Sequence, residues 1–482
     1  MNKKYLLLLA FLSVFILLLS AFTINKNSKH YSSKFYNDTL PPFAIKAKDH
    51  KGKSVVTANG VVSFTSGLHN DFYQVDSVNK TGYLYIETKL SAFMNDNVKR
   101  VPLNISIVID RSGSMNGVKL GYAKKAAKGI IDQLKSEDFV SIVMYDNVVD
   151  SVQVPIHVID KLAIHKKIES IATRGGTNLW GGTEKGYEYA QKNYKPGFVN
   201  RVLLISDGLA NVGLTDPKLI KLKVQQYKDD NGITLSTFGV GLDYNETLMT
   251  AMAETGLGNY YFIDAPDKMA AMFNKELSGL LNVAAQNAEL KITLPQGVKI
   301  VKAYPLKYTE SGNEIAVKFK DLFSEETKGI LFSFAITDGV NTVLKFNSTL
   351  SYIDVTDGQQ KTISHDNILT PVKNVDAYLT HFNKGVIEQA ILFTANENLE
   401  TAMTLVDKGD YDGANNVLDD NKAFLSANAF YAAGNMELQN MDSINVSYRQ
   451  QSARTRYMDA DSVKVLQKSM RSDNYKLRTK KQ

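Results

Sequence analysis

Residues 105–109 (Ile-Ser-Ile-Val-Ile) and 202–205 (Val-Leu-Leu-Ile) are apolar almost without interruption and too short for helices. A strand that is apolar on both alternating faces is buried on both, as happens in parallel sheets covered by helices. Further strand patterns fall at 139–145, 148–154, 234–240 and 260–263. Between them lie amphipathic stretches at 118–134, 160–172, 179–192, 217–230, 246–254 and 267–281. This alternation predicts an α/β domain over residues 101–283, with a doubly wound, mostly parallel sheet. The two runs flanking Asp146-Asn147 read as a hairpin that adds one antiparallel edge.

Both central strands end in oxygen donors. The first runs into Asp110-Arg-Ser-Gly-Ser, placing a carboxylate and the hydroxyls of Ser112 and Ser114 at alternating positions. The second runs into Ser206-Asp207-Gly208, and a loop between them, Gly175-Gly-Thr-Asn, offers Thr177. In open α/β sheets the ligand crevice lies outside the carboxyl ends of the strands, where Asp110 and Asp207 fall. Asp110, Ser112, Ser114, Thr177 and Asp207 are all hard donors, suited to Mg²⁺, with Mn²⁺ or Ca²⁺ as alternatives, rather than to zinc.

Asp-x-Ser-x-Ser, a distant Thr in Gly-Gly-Thr-Asn and a later Ser-Asp-Gly together resemble the von Willebrand factor A family, whose metal-ion-dependent adhesion site uses that set. The resemblance implies that Ser112, Ser114 and Thr177 supply hydroxyl contacts while Asp110 and Asp207 bind directly or through water. One coordination position would stay open for a carboxylate from a protein partner. A cation with few directly bound anions stays electrophilic, which is why such a site seeks an acid from outside. The segment Lys99-Arg-Val-Pro-Leu-Asn-Ile-Ser-Ile-Val-Ile-Asp-Arg-Ser-Gly-Ser-Met is similar to that of bacterial members related to calcium-activated chloride channel regulators and inter-α-inhibitor heavy chains.

On either side the patterning changes. Residues 45–100 and 284–372 carry period-two β segments and are expected to form the two parts of one β-sandwich into which the α/β domain is inserted. From residue 373 the chain is rich in Ala, Asn, Leu and Glu and reads as helical to its end at 482. Gly409-Asp-Tyr separates two helices there, half of a tetratricopeptide-style pair, expected as a hairpin or small bundle on the sandwich. Met436, Met441, Met458 and Met470 are expected to pack in cores or between helices.

Met-Asn-Lys-Lys followed by an uncharged apolar run, residues 5–22, reads as an export signal or an uncleaved membrane anchor, within a segment spanning 1–25; residues 26–44 form a linker. The chain has no cysteine, which excludes disulfides, thiol catalysis and a lipidated cysteine, and an exported chain of that kind fits a bacterial envelope. Net charge is +6, and residues 449–482 hold ten Lys/Arg against three Asp/Glu, so the excess sits in the C-terminal segment. That tail is expected to be a solvated, frayed end, or else to touch an anionic surface; export argues against nucleic acid.

No Walker-type loop, Gly-x-Ser-x-Gly elbow or His-Glu-x-x-His occurs, and no histidine neighbours the five donors in sequence. The expected function is therefore non-enzymatic, metal-dependent binding of an acidic protein partner at the cell envelope. The alternative is an envelope scaffold with a structural metal, its helical C-terminus making the contacts.

Overall fold

The computed structural model describes residues 49–77, 80–91 and 100–479. The apolar run at 5–22 and the linker lie outside them. Among the described residues no helix is long and apolar enough to cross a membrane.

Strands β1 (Val55–Asn59), β2 (Val62–Leu68), β3 (Phe72–Gln74) and β4 (Thr81–Leu90) come first. The α/β region follows with β5 (Leu103–Asp110), β6 (Phe139–Tyr145), β7 (Val149–His157), β8 (Val199–Ser206), β9 (Thr234–Val240) and β10 (Leu257–Ile263). Its helices are α1 (Val118–Gln133), α2 (Lys161–Glu169), α3 (Leu179–Lys192), α4 (Pro217–Asn231), α5 (Glu246–Thr255) and α6 (Met269–Leu281). The sheet order is β10-β9-β8-β5-β6-β7, parallel except for the β6–β7 hairpin.

The unbroken apolar strands owe their character to burial on both faces. Ile105, Ile107 and Ile109 of β5 pack with Ala127 and Ile131 of α1 and Phe273 of α6. Val108 turns to the other face, with Val202 and Leu204 of β8 and the inner residues of α3, α4 and α5. Each such side chain contributes about 1.5–3 kcal/mol relative to exposure. β5 pairs in parallel with β6 on one side and β8 on the other, so chain direction across the sheet reverses there and a crevice opens at their carboxyl ends. Helix α2 starts one residue later than its pattern suggests, because Asp160 caps it by accepting the Ala163 N–H at 2.9 Å.

Strands β11 (Val283–Thr293), β12 (Val298–Tyr304), β13 (Thr309–Ser311), β14 (Glu314–Phe323), β15 (Thr327–Ile336), β16 (Leu344–Asp354) and β17 (Gln360–Val372) follow α6. Two sheets result, ordered β1-β2-β4-β15-β12 and β13-β14-β11-β16-β17-β3, each mixing strands from before and after the α/β region. Phe64, Leu84, Leu290, Phe332 and Phe346 belong to the core they share.

The remaining helices are α7 (Val375–Thr380), α8 (Lys384–Asp407), α9 (Tyr411–Ala427), α10 (Ala429–Ala432), α11 (Met436–Arg454) and α12 (Ala460–Thr479). Gly409, at φ +75°, makes the left-handed turn between α8 and α9, and Asp410 caps α9 through the Gly413 N–H at 2.9 Å. Val386, Ile387 and Ala390 of α8 pack with Tyr83, Tyr85 and Leu331 of the sandwich.

The C-terminal segment overturns the expectation of a frayed end. Within the described residues it is helical rather than frayed, because α12 lies across the α/β region and its charges are paired. Lys464 meets Asp243 at 2.9 Å, Lys468 lies 3.9 Å from Glu246, Arg471 meets Asp407, and Arg478 meets Glu254 and Glu400. Of the four methionines, Met441 and Met470 are buried, whereas Met436 is 83 % exposed and Met458 reaches the surface.

Candidate metal centre

Three connections meet over the β5–β8 crevice: the turn after β5, the loop before α3 and the segment after β8. Asp110, the last residue of β5, is fully buried. Its Oδ1 accepts the Ser112 N–H at 2.8 Å, which folds the chain so that Ser112 and Ser114 turn back over the strand end. Its Oδ2 accepts from Ser206 Oγ at 2.7 Å and from the Tyr145 hydroxyl at 3.3 Å.

Ser112 Oγ and Ser114 Oγ are 3.1 Å apart, and Ser114 Oγ donates to Asp207 Oδ1 at 2.7 Å. A Cβ placed on Gly208 would stand 3.0 Å from Thr177 Oγ1 and 3.6 Å from Ser114 Oγ, so Thr177 joins the same cluster. The structure thus brings all five sequence-derived candidates together. Ser112, Thr177 and Asp207 are buried, and Ser114 is the exposed member through which the cluster meets solvent.

The loops are locked by backbone bonds. Gly113 N donates to Gly175 O at 3.0 Å, Arg174 N to Arg111 O at 2.8 Å and Asn178 N to Asp146 O at 2.8 Å. Thr177 N donates to Asn211 Oδ1 at 2.8 Å, and Asn211 N returns to Thr177 O at 3.1 Å. A Cβ on Gly176 would come within 2.6 Å of Asn147 Oδ1, the acceptor of its own N–H, so a larger residue would push that side chain aside.

Below this cradle, Asp146 is the hub of an ion-pair network. It accepts a hydrogen bond from Arg174 Nε at 2.9 Å and forms an ion pair with Arg111, whose Nε lies 2.7 Å away, and Arg111 reaches on to Asp150 at 2.5 Å. Burial alone would raise the Asp146 carboxyl, but the Arg174 hydrogen bond, the Val148 N–H and Arg111 outweigh it and hold it low. Asp146 therefore fastens the Thr177 loop to the β6–β7 hairpin as well as forming its turn.

The electrostatics call for a cation. Burial pushes the Asp110 carboxyl up to about 6, against the hydrogen bonds from Ser206 and Ser112, and the neighbouring Asp207 charge adds to the rise. The Lys119 ammonium, from the first turn of α1, lies 2.5 Å from Asp207 Oδ2. Two buried carboxylates with three hydroxyls are the donor set that a hard divalent ion takes, and the residues fit one. Among the described residues no group of three or more His, Cys, Asp or Glu is placed to hold a metal, as expected for a site with only two carboxylates. Met115 is fully buried and packs rather than ligates.

Sequence reasoning missed Lys119, Ser206, Tyr145, Arg111 and Arg174. Ser206 and Arg111 lie inside the motifs themselves; the others carry no local signal, because their partners come from distant segments.

Residues 104–275 match the family model described as von Willebrand factor type A domain. The chain is 35 % identical over 191 residues to the uncharacterized protein YfbK of Escherichia coli, covering 39 % of this chain and 33 % of that one. It is 25 % identical over 321 residues to inter-alpha-trypsin inhibitor heavy chain H2 of Sus scrofa, covering 64 % of this chain and 33 % of that one. It spans about a third of the length of either relative. A solved von Willebrand factor type A structure from Catenulispora acidiphila superposes with a TM-score of 0.63 at 14 % identity, covering 81 % of this chain and 91 % of that one. At that identity the likeness is one of fold, and it extends over the sandwich as well as the α/β region.

Proposed function

With residues 104–275 a von Willebrand factor type A domain, the kind that typically mediates protein–protein adhesion, we propose that this chain is an exported, non-enzymatic binding protein of the bacterial envelope. It takes up a carboxylate of a protein partner through a divalent cation. Asp110, Ser112, Ser114, Thr177 and Asp207 would hold the ion, and the bound ion supplies a Lewis-acidic position for the incoming acid. The observation that carries this reading is the convergence of five side-chain oxygens, with the carboxylates buried and Ser114 facing solvent. The chain's own groups preorganise the site: Ser206 and Tyr145 orient Asp110, and Asn211 with Asn147 fixes the Thr177 loop. Export rests on the apolar run at 5–22 and its flanking lysines.

The scaffold alternative finds less support, because α12 and one face of α8 are already engaged within the chain. The test is calorimetric titration of Mn²⁺ into the full chain and its Asp110→Ala variant, followed by binding of Asp- and Glu-containing peptide arrays in Mg²⁺ or EDTA. Wild type should bind Mn²⁺ and retain acidic peptides only with metal, and the variant should lose both. Equal peptide retention by the two proteins refutes the mechanism.

A further inference from the structure

At the amino edge of the same sheet, far along β10 from the metal centre, a cavity of about 400 Å³ opens between three parts of the chain. Its walls come from the C-terminal ends of α4 and α5 and the start of β10, from β14 and the segment after β12, and from the last turns of α12. The volume lies within the ordinary range for small-molecule sites. Its apolar lining includes Leu257, Leu306, Tyr308 and Phe319.

Two polar groups in this lining are buried without partners. Asp321 is 8 % exposed and makes no hydrogen bond or ion pair among the described residues. Thr255 is also 8 % exposed, and its Oγ1 has no hydrogen-bond partner. Burial raises the Asp321 carboxyl, outweighing the opposing charges of Lys320 and Arg201, neither of which forms an ion pair with it. The nearest cations are engaged elsewhere: Arg201 donates to Glu276 at 2.8 Å and Lys320 to Asn287 at 3.4 Å.

The basic residues of the lining leave Asp321 unmatched too. Lys228 is 3.1 Å from Asp229, Lys328 is 2.6 Å from Glu326, and Arg478 is held by Glu254 and Glu400. Lys307 and Lys318 are exposed. The C-terminal ends of α4 and α5 add the negative ends of two helix dipoles, which favour a positive group. A buried acceptor, a free hydroxyl, two helix C-termini and an apolar wall are complementary to one kind of molecule.

We propose that this cavity is a second binding site, taking a small organic cation whose ammonium or guanidinium group sits on Asp321 and Thr255 and whose apolar or aromatic body lies against Leu257, Leu306, Tyr308 and Phe319. The site is independent of the metal centre, so chelators leave it unchanged.

The probe is phenethylamine, titrated into the full chain in EDTA by calorimetry and by ligand-observed NMR, with 3-phenylpropionate as an anion of similar shape. Phenethylamine should bind saturably and at least tenfold more tightly than 3-phenylpropionate. Asp321→Asn should weaken it tenfold or more, and Thr255→Val several-fold. Asp110→Ala, remote from the cavity, should bind as wild type does. Near-equal binding of amine and acid, unchanged binding in Asp321→Asn, or no saturable amine binding (a cavity that holds water only) would each overturn the proposal. Circular dichroism of both cavity variants establishes that a loss reflects the site rather than unfolding.

Discussion

Asp110 should make the metal-free domain less stable than it would be with a neutral side chain. Its carboxyl is raised from 3.8 to about 6, chiefly by burial. Each tenfold change in proton affinity corresponds to about 1.4 kcal/mol, so holding it ionised costs the folded domain about 3 kcal/mol at neutral pH. Since the folded value lies above the unfolded one, the penalty is absent below pH 3.8, grows as pH rises, and is complete above about 6. A divalent cation offsets it, because it needs the ionised form. The chain's one tryptophan, Trp180, is buried in α3 within the α/β core and reports its unfolding. Followed by its fluorescence in EDTA, wild type should melt several degrees higher at pH 5 than at pH 7.5, at about 2–4 °C per kcal/mol for a domain of this size. Asp110→Asn keeps an acceptor for Ser112 N and presents an amide to the rotatable hydroxyls of Ser206 and Tyr145. It should melt above wild type at pH 7.5 in EDTA, whereas Mg²⁺ should raise wild type only. A variant that melts below wild type under those conditions, or a wild type indifferent to Mg²⁺ and Mn²⁺, refutes the reasoning.

Two further outcomes follow from groups around the same sheet. Lys119→Met removes the ammonium 2.5 Å from Asp207 and should tighten Mn²⁺ binding about tenfold by calorimetry, the effect of one charge at a partly exposed ligand. Arg201→Met strips a cation that donates to the buried Glu276 at 2.8 Å, while Ser236, Asn259 and Tyr261 remain as neutral donors. It should cost about 3–5 kcal/mol and lower the Trp180 melting temperature, and adding Glu276→Leu should recover most of that loss.

The legible parts of this chain were those whose signal is local. Period-two and helical patterns gave the α/β region and the flanking strands because burial writes itself into consecutive residues. The five donors were readable because Asp110, Ser112 and Ser114 share one turn, while Thr177 and Asp207 sit in short motifs of their own. Lys119 was not, since a lysine in the first turn of a helix looks like any exposed residue until Asp207, 88 positions later, is placed beside it. The basic C-terminal segment was misread for the same reason. Its counter-charges, Asp243, Glu246 and Glu254, lie more than 200 residues upstream, so composition showed an excess of charge where the fold has paired it.

That pairing changes how the two functional readings can be separated. Removing everything after residue 374 would seem to isolate the metal domain from the helices. It would also strip α8 from Tyr83, Tyr85 and Leu331, expose one wall of the cavity, and take Lys468 from Glu246, whose carboxyl burial already pushes up to about 7. Lost binding in such a truncation would therefore report lost folding as readily as a lost interface. Point variants avoid the ambiguity. Lys464→Ser removes that residue's exposed pairings with Asp243 and Asp461, while Ser114→Ala removes only the solvent-facing hydroxyl of the metal centre. If the metal carries the partner contact, Ser114→Ala abolishes chelator-sensitive peptide retention and Lys464→Ser leaves it intact. The opposite pattern would place the contact on the helices.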